Sequence, residues 1–451
     1  MAGIIGIQGK NQSKIARAML SKIMHRSKKD NIILLKNGFT IGIASNDLEA
    51  MCGYVKNKDI FSVSKREDAT SVALMDGRIS LKRDKYGIDP LYYVLLEDNS
   101  IAFASEVKAL IGFNSTIKEL EPGYILEDLE LKKYYELEKE EPLKLGVHDL
   151  NILLRETLLA SINKRLTSNT VGAWLSGGLD SSVISALLRP LVKELHTFSV
   201  GFPGSPDLRY ARVVADYIGS KHHEKLVSFE NIIRVLPDVI YHLESFDGLL
   251  VRSSLMNYLV AQLASEYVDE VFSGEGGDEL FAGYQYIKEL PQNKIEDELI
   301  EITKRLHNTA LQRVDRCSNA FGTTAHVPFL DEEIVELAIR IPVEYKLHNG
   351  IEKWILRSAV EDDLPADVLW RTKSKFWEGS GMGEHFYSYA EGFITDSEFN
   401  SEKKIKCGWE LNSKEEYMYY KIFKEHFGEL DDLSWMGRTK LVTSEGECDE
   451  S

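Results

Sequence analysis

The chain has 451 residues, a formal net charge of −17 and 43% hydrophobic residues. This length predicts two to four domains of ordinary size, and the apolar content is ample for packed cores. The acidic balance argues against a nucleic-acid or anionic-membrane surface, since both need clustered lysines and arginines.

The amino-terminal part, to about Leu145, consists of short apolar runs with few long helical stretches, and we interpret it as β-rich. The runs are Ile32–Leu35, Thr40–Ala44, Val72–Met75, Ile101–Ala104 and Tyr124–Leu126. A charged stretch with a proline follows at Glu136–Lys144, and this composition is typical of a linker. The sequence therefore predicts a first domain over residues 1–145.

The pattern changes from Leu150 onward, where apolar residues recur at helical spacing and strands then alternate with helices to about residue 290. Residues 291–440 are mostly helix-patterned. The second domain is predicted over 146–442 as an α/β fold with a helical carboxyl-terminal part. Residues 443–451 form a short acidic tail that we expect to be disordered.

Nothing in the chain predicts a membrane span or a secretory leader. No stretch approaches the roughly 18 uninterrupted apolar residues of a membrane helix, and the amino terminus lacks a basic-then-apolar pattern. We therefore expect a cytoplasmic protein. The cysteines Cys52, Cys317, Cys407 and Cys448 show no CxxC or CxxH spacing, so the sequence indicates neither a zinc site nor a disulfide framework.

The segment Leu175–Ser182 reads LSGGLDSS and lies between a strand-like and a helix-like run. Gly177 and Gly178 allow a sharp turn that brings backbone N–H groups to an anionic oxygen, and the following helix points its positive end to the same place. Further hydroxyl donors come from Ser176, Ser181 and Ser182. This pattern predicts a phosphate-binding loop, although a Gly-Ser turn that only caps a helix is the alternative.

Asp180 is the unusual member of this loop, because a carboxylate repels phosphates unless a divalent cation lies between them. A second loop has the same character: residues 270–284 run from a short strand through Ser273 and Gly274 to Asp278. Loops at the carboxyl ends of neighbouring parallel strands converge on one crevice. Asp180 and Asp278 are therefore predicted to hold one Mg²⁺, with an acidic first helical turn as the alternative for Asp278.

Twelve ordered segments make the chain resemble the asparagine synthetase family. They are HRSKKD (25–30), DKYGIDPLYY (84–93), FASEVKAL (103–110), LEPGY (120–124), LSGGLDSS, HTFSVGF (196–202), YARVVADYIGSKHHE (210–224), ESFDGLLVRSS (244–254), SGEGGDELFAGY (273–284), VPFLD (327–331), KWILR (353–357) and WRTKSKFWEGSG (370–381). The resemblance implies an N-terminal-nucleophile (Ntn) glutamine amidotransferase-like α+β domain. An N-type ATP pyrophosphatase (PP-loop) domain with a doubly wound parallel sheet follows it.

The resemblance also implies roles for individual residues. Glu275 matches the family's candidate base for aminolysis, and Lys373 matches the lysine thought to stabilise the transition state and pyrophosphate. Leu175 and Val200, at strand ends, would pack on the adenine of ATP. For Lys373 the alternative is a surface charge, and for the two apolar residues it is an ordinary place in the strand.

Asp247 and Arg252 match a segment that the family uses near ATP and aspartate. An arginine can pair with a carboxylate in bidentate fashion, and a structural ion pair is the alternative. Lys353 and Arg357 in KWILR are interpreted either as contributors to the site or as a helix face.

Two departures from the family pattern stand out. Residue 2 is alanine where the family has the cysteine that attacks glutamine, and alanine cannot be a nucleophile. The Asn-Gly-Glu-Ile-Tyr-Asn segment of the glutamine site also has no counterpart between Asp30 and Asp84, so natural loss is favoured over an engineered change. Cys52 is internal and is not expected to replace the nucleophile. The second departure is Thr324-Ala325-His326 in place of Glu-Ala-Arg, which leaves the acceptor acid open.

The leading hypothesis is an ATP- and Mg²⁺-dependent ligase that adenylates the aspartate side chain and aminates it with ammonia, releasing AMP and pyrophosphate, without its own glutaminase activity. The alternatives are the same chemistry on a different carboxylic acid, or a non-catalytic ATP-binding scaffold. The expected partners are small molecules, with a homodimer or a separate glutaminase as open possibilities and no nucleic acid or membrane.

Overall fold

Two antiparallel sheets with a shared apolar core form the first part of the chain. The computed structural model describes residues 2–9, 11–47, 54–55, 58–75, 78–371 and 382–438, so Cys52 and the tail 443–451 lie outside it. In chain order the elements are β1 (Gly3–Gln8), α1 (Ser13–Ser21), β2 (Asp30–Lys36), β3 (Phe39–Ser45), β4 (Tyr54–Val55), β5 (Lys58–Ser62), β6 (Ser71–Met75), β7 (Arg78–Lys82), β8 (Tyr92–Leu95), β9 (Ile101–Ala104), β10 (Lys118–Glu119), β11 (Tyr124–Glu127) and β12 (Glu130–Lys133).

The strand order within the described residues is β10-β8-β9-β1-β3-β2 in one sheet and β12-β11-β7-β6-β5-β4 in the other. Alternating side chains from both sheets, such as Ile4, Ile41, Val72 and Leu81, meet in one buried cluster. The prediction of a β-rich first segment is confirmed, and each of the five predicted apolar runs lies within a strand.

The predicted linker connects the two parts and contains no helix or strand. It contacts the second part through a hydrogen bond from Leu143 N–H to the carbonyl oxygen of Arg340 at 2.8 Å. Helix α2 (Val147–Asn163) then begins, and a parallel α/β unit follows it. Its elements are β13 (Thr170–Trp174), α3 (Leu179–Leu188), β14 (Glu194–Gly201), α4 (Pro206–Ile218), β15 (Lys221–Leu226), α5 (Phe229–Leu243), α6 (Gly248–Ser265), β16 (Glu270–Phe272) and α7 (Gly277–Leu280).

The parallel sheet has the order β15-β14-β13-β16-β17 within the described residues, where β17 is Thr324–His326. All four neighbouring pairs are parallel. From β13 the chain adds β14 and β15 on one side of the sheet and then returns to add β16 on the other side of β13. A crevice therefore opens between the carboxyl ends of β13 and β16. This confirms the predicted fold class and places the loops that follow these two strands side by side.

The remaining chain is mostly helical, as predicted. The helices are α8 (Gln292–Lys304), α9 (Ala310–Asn319), α10 (Glu332–Arg340), α11 (Val343–Lys346), α12 (Trp354–Ala359), α13 (Ala366–Leu369), α14 (Met382–Phe393), α15 (Asp396–Glu402) and α16 (Lys414–Phe427). A small hairpin of β18 (Leu347–His348) and β19 (Ile351–Glu352) precedes α12. Among the described residues no helix combines the length and apolarity that a membrane crossing requires.

Candidate active site

A cavity of about 550 Å³ opens at the carboxyl ends of β13 and β16. Most residues that the sequence predicted for the site line it together. They are Leu175, Ser176, Gly178, Asp180, Ser181, Val200, Arg252, Ser273, Gly274, Glu275 and Asp278. The two loops are thus parts of one site.

The loop after β13 turns sharply because Gly177 has a φ of +73°. A Cβ on this residue would lie 2.6 Å from the carbonyl oxygen of Asp207, so only glycine fits. The hydroxyls of Ser176 and Ser181 lie 3.0 Å apart and share a hydrogen bond. The loop is therefore shaped and rich in donors before any anion binds.

Three residues predicted for the site, Gly177, Ser182 and Asp247, do not line the cavity in the described structure. The Ser182 hydroxyl donates to the Gly178 carbonyl at 2.7 Å and is fully buried, so it secures the start of α3. The Asp247 carboxylate accepts from Leu250 N–H at 2.9 Å and caps α6. The substrate role of Asp247 stays a prediction.

The loop after β16 packs directly on the first loop. A Cβ on Gly274 would lie 2.6 Å from the Ser181 nitrogen, and one on Gly277 would lie 2.5 Å from Asp180 Oδ1. Both positions therefore need glycine, because the two loops approach each other too closely for a side chain. Because Gly274 and Gly277 have no side chains, the two loops pack closely and Asp180 and Asp278 lie at the same corner of the cavity.

Lys353 joins these two aspartates. Its ammonium forms ion pairs with Asp180 Oδ2 and, at 2.7 Å, with Asp278 Oδ1, while only 4% of its side chain is exposed. Burial by itself would lower the pKa of Lys353, but the two carboxylates outweigh it and raise the pKa above its ordinary value. Lys353 therefore belongs to the site as a permanent cation, and KWILR is more than a helix face.

The donor set of this corner fits Mg²⁺. Two carboxylates that contact one ammonium also lie within reach of a single metal ion, and both supply the oxygen ligands that Mg²⁺ prefers. The described residues contain no group of three or more His, Cys, Asp or Glu arranged to hold a metal. Phosphate oxygens and water would complete the coordination, as is usual for this ion.

Glu275 also lines the cavity and is held by Arg313 of α9. An N–H of Arg313 Nη2 donates to Glu275 Oε1 at 2.5 Å. Burial would lower the pKa of Arg313, but Glu275 reverses this and raises it. No sequence motif marks Arg313, since α9 carries no loop motif and Glu275 lies 38 residues away.

Arg252 reaches the cavity but its guanidinium is engaged. Nε and Nη2 donate to the two oxygens of Glu415 at 2.6 Å each, and the Tyr419 hydroxyl donates to the same carboxylate. This bidentate pair is the structural alternative that the sequence left open. A substrate role for Arg252 remains a prediction.

Arg371 closes another side of the cavity. Its guanidinium donates to the Gly177 carbonyl at 3.1 Å and to Asp207 at 2.6 Å, and it stacks 4.1 Å above the Tyr210 ring. Burial raises the pKa of Asp207, and Arg371 opposes this effect only in part. Lys373, two residues further on, lies outside the described residues, so its role stays a prediction.

An apolar wall faces the phosphate loop. Leu175 and Val200 are almost fully buried and line the cavity with Trp174 and Phe198. Together these aliphatic and aromatic side chains form an apolar surface suited to an aromatic base. Contact with adenine remains a prediction for Leu175 and Val200.

Comparison with known proteins identifies the family. Residues 153–301 and 291–445 match the family described as "Asparagine synthase", and residues 72–150 match "Glutamine amidotransferase domain". Asparagine synthetase B [glutamine-hydrolyzing] of Escherichia coli (strain K12) is 36% identical over 370 residues, which cover 76% of this chain and 67% of the relative. Asparagine synthetase [glutamine-hydrolyzing] of Cricetulus griseus is 34% identical over 408 residues, covering 80% and 72%.

The chain belongs to the asparagine synthetase family. It is therefore a carbon-nitrogen ligase of the ATP-dependent amide-forming class. The match to the amidotransferase domain begins at residue 72, so the segment around Ala2 lies before it.

Ala2 of this asparagine synthetase-like chain is buried in the first domain. Ala2 is 2% exposed, packs in the core between the two sheets, and donates its N–H to the Val63 carbonyl at 2.8 Å. Its methyl group carries no nucleophilic atom. Of the cysteines, Cys317 and Cys407 are described, and both lie in the second part of the chain.

The second departure from the family pattern lies away from the cavity. Thr324 and His326 stand on β17, and in the described structure neither side chain lines the site. His326 lies 3.7 Å from Glu270 and packs on Phe272, and its burial lowers its pKa despite Glu270. Thr324 and His326 therefore do not distinguish between acceptor acids through contacts in the described cavity.

Proposed function

We infer that the protein converts aspartate, ammonia and ATP into asparagine, AMP and pyrophosphate. The observation that carries this proposal is the convergence of two glycine loops on one corner, where Asp180 and Asp278 share a single cation. A pyrophosphate leaving group needs N–H donors and a divalent cation at the same place. The cavity supplies the donors and the two carboxylates that would hold the ion.

The reaction proceeds in two steps. An oxygen of the acceptor carboxylate attacks the α-phosphorus of ATP, the bond to the bridging oxygen breaks, and pyrophosphate leaves. The ammonia nitrogen then attacks the acyl carbon, AMP leaves, and a proton passes to a base. Mg²⁺, when bound, supplies neutralisation of the phosphate charge.

Individual residues of the chain have distinct tasks in these steps. The loop Ser176–Ser181 binds the outer phosphates through N–H and hydroxyl groups, and Lys353 adds a fixed positive charge beside them. Glu275, oriented by Arg313, takes the proton from the attacking nitrogen. Lys373 is proposed to stabilise the transition state.

Ammonia is proposed as the nitrogen source because Ala2 replaces the nucleophile that glutamine hydrolysis needs. The relatives are named glutamine-hydrolyzing, so the chain would differ from them in this half of the reaction. The first domain would then act as a structural part of the ligase.

Product analysis tests the proposal. The protein is incubated with ATP, Mg²⁺ and aspartate, with either ammonium or glutamine, and chromatography distinguishes AMP from ADP while mass spectrometry detects asparagine. We expect AMP and asparagine with ammonium only. Asparagine from glutamine at equal rate would contradict the loss of glutaminase activity, and ADP as product would contradict the ligase chemistry.

Variants connect the activity to the shared corner. Asp180→Asn and Asp278→Asn should each lower the rate by about 100-fold or more, because each removes a carboxylate from the charge-stabilising site. Asp297→Asn is the matched control, since Asp297 is an exposed aspartate that pairs with Lys139 and does not line the cavity. Equal activity in all three variants would exclude this corner as the phosphate site.

A further inference from the structure

Arg313 differs from the other cationic residues that line the cavity. Each of those uses at least two sites on its charged group for acceptors within the chain. Arg252 is held by both oxygens of Glu415, and Lys353 by Asp180 and Asp278. Arg357 donates to Glu352 and to the Leu369 carbonyl, and Arg371 to Gly177 and Asp207.

Arg313 has a single described acceptor, Glu275, which bonds to Nη2. Its Nε is buried and has no hydrogen-bond partner among the described residues. A buried guanidinium N–H without an acceptor is unfavourable, and the planar fork of arginine matches the two oxygens of a carboxylate. No described acceptor bonds to Nη1 either, and this nitrogen, unlike Nε, is not enclosed by protein, so it is left for a ligand that carries a carboxylate.

The surroundings of Arg313 place such a ligand beside the reacting centre. Arg313 contacts Glu275, the base in the proposed reaction, and lines the same cavity as Asn257 and Met256 of α6. A second carboxylate on the acceptor would therefore meet a cation near the carbon that is aminated. Arg252, which the sequence suggested for binding a substrate carboxylate, already donates hydrogen bonds from Nε and Nη2 to Glu415.

We propose that Arg313 binds the non-reacting carboxylate of the acceptor and so selects dicarboxylic amino acids over monocarboxylic ones. This inference rests on the proposed ligase function and names the residue that recognises its substrate. Arg313 then has two partners in the working enzyme, Glu275 on one side and the acceptor on the other.

The competing explanation is that Arg313 only orients Glu275. The exchange of labelled pyrophosphate into ATP separates the two, since it reports acceptor binding and adenylation but not aminolysis. Aspartate is compared with 3-aminopropionate, which has the reacting carboxylate but lacks the second one. The variants are Arg313→Met, Arg313→Lys and Glu275→Gln, with Arg340→Met as a matched control because Arg340 pairs with Glu140 outside the cavity.

We expect Arg313→Met to raise the aspartate KM in the exchange reaction by about 30-fold, the loss of one charged hydrogen-bonded contact. The KM for ATP should change by less than about twofold, and the preference for aspartate over 3-aminopropionate should disappear. Arg313→Lys keeps the charge and should retain part of that preference. Glu275→Gln should slow amide formation and leave the aspartate KM in exchange near that of the unaltered protein, as should Arg340→Met.

Unchanged aspartate KM in Arg313→Met and Arg313→Lys, with amide formation slowed as in Glu275→Gln, would overturn the inference and leave the proposed function standing. If the unaltered protein shows no exchange with any dicarboxylic acid, the proposed function fails and this inference fails with it. Far-ultraviolet circular dichroism and the ATP KM verify that each variant is folded.

Discussion

At the scale of single residues, the contact between Asp278 and Lys353 depends on the lack of a side chain at Gly283. A Cβ on Gly283 would lie 2.0 Å from Asp278 Oδ1 and 2.2 Å from Lys353 Cε. Gly283 therefore leaves the space in which the carboxylate and the ammonium meet. Its backbone N–H also donates to the Asp278 carbonyl at 2.8 Å.

Gly283→Ala should displace Asp278 and Lys353 and lower the rate of amide formation by about 100-fold, since small displacements of catalytic groups have effects of this size. Overpacking should also lower the free energy of unfolding by about 1–3 kcal/mol. Steady-state kinetics and urea denaturation measure both. Gly392→Ala is the control, because Gly392 in α14 has no atom within 4 Å of its Cβ position and a helical alanine is favourable. Equal activity in the two variants would contradict the prediction.

The residues of the site that belong to loop motifs were predictable from the sequence, and those that act over long distances were not. The glycines, serines and aspartate of Leu175–Ser182 form a short motif, and this motif alone predicts phosphate binding. The sequence left Lys353 open between a role in the site and a helix face, because its partner Asp180 lies 173 residues away. Its φ of +55° places it just before the start of α12. Arg313 was missed altogether, since only the fold brings α9 to Glu275.

At the scale of elements, the turn from α7 to Tyr284 buries a carboxylic acid directly behind the site. Glu279 accepts a hydrogen bond from the Tyr284 hydroxyl. Burial, followed by the charge of Asp278, raises the pKa of Glu279 to about 7, although the Tyr284 bond opposes this. The short helix α7 therefore holds a proton that an exposed glutamate would release.

This proton makes stability depend on pH in a definite direction. Between the unfolded pKa of about 4.5 and the folded pKa of about 7, the folded protein binds a proton that the unfolded chain has lost. The free energy of unfolding should therefore fall as pH rises through this window, by about 3 kcal/mol in total. Glu279→Gln should remove this component when urea denaturation is measured at a series of pH values.

The control for this measurement is Glu301→Gln, because Glu301 is a largely exposed residue that pairs with Lys304. Its stability curve should parallel that of the unaltered protein. Parallel curves for Glu279→Gln as well would show that Glu279 is ionised in the folded state and would contradict the prediction.

Strands and helices followed the sequence pattern closely where the pattern was periodic. The helix expected at the end of the phosphate loop begins at Leu179, and the apolar runs of the first domain lie in strands. The pattern did not indicate β17 to β19 in the predominantly helical part. These strands have two or three residues each, too few to establish a period of two, and their pairing partners fix them.

At the scale of the whole molecule, a buried ion cluster joins the first domain to the second. It consists of Arg26, Glu106, Lys108, Glu244, Asp315 and Arg316, none of which is more than 4% exposed. Arg26 donates to Glu106 at 2.7 Å and to both oxygens of Asp315 at 2.7 and 2.9 Å. Arg316 donates to Glu244 at 2.9 Å and to the Ser105 carbonyl at 3.1 Å.

The sequence could not predict this interdomain ion cluster, because Arg26 and Asp315 are 289 residues apart and only the fold brings them together. The segment HRSKKD, which contains Arg26, indicates only the family resemblance. The cluster gives the first domain a structural task that does not require a nucleophile at residue 2.

Arg26→Met should lower the free energy of unfolding by about 3 kcal/mol, since it leaves Asp315 and Glu106 buried with one cation fewer. Arg78→Met is the control, because Arg78 is 73% exposed and its pair with Asp128 should contribute less than about 1 kcal/mol. Urea denaturation measures both variants.

The same variant should also affect catalysis. Asp315 and Arg313 lie two residues apart on α9, so the domain contact that positions one constrains the other. We expect Arg26→Met to lower kcat/KM for aspartate in pyrophosphate exchange by about tenfold at a temperature where the variant stays folded, because small displacements of positioned groups are costly. Lower stability with unchanged kcat/KM would show that the cluster only holds the domains together, and that α9 is positioned by the ligase domain alone.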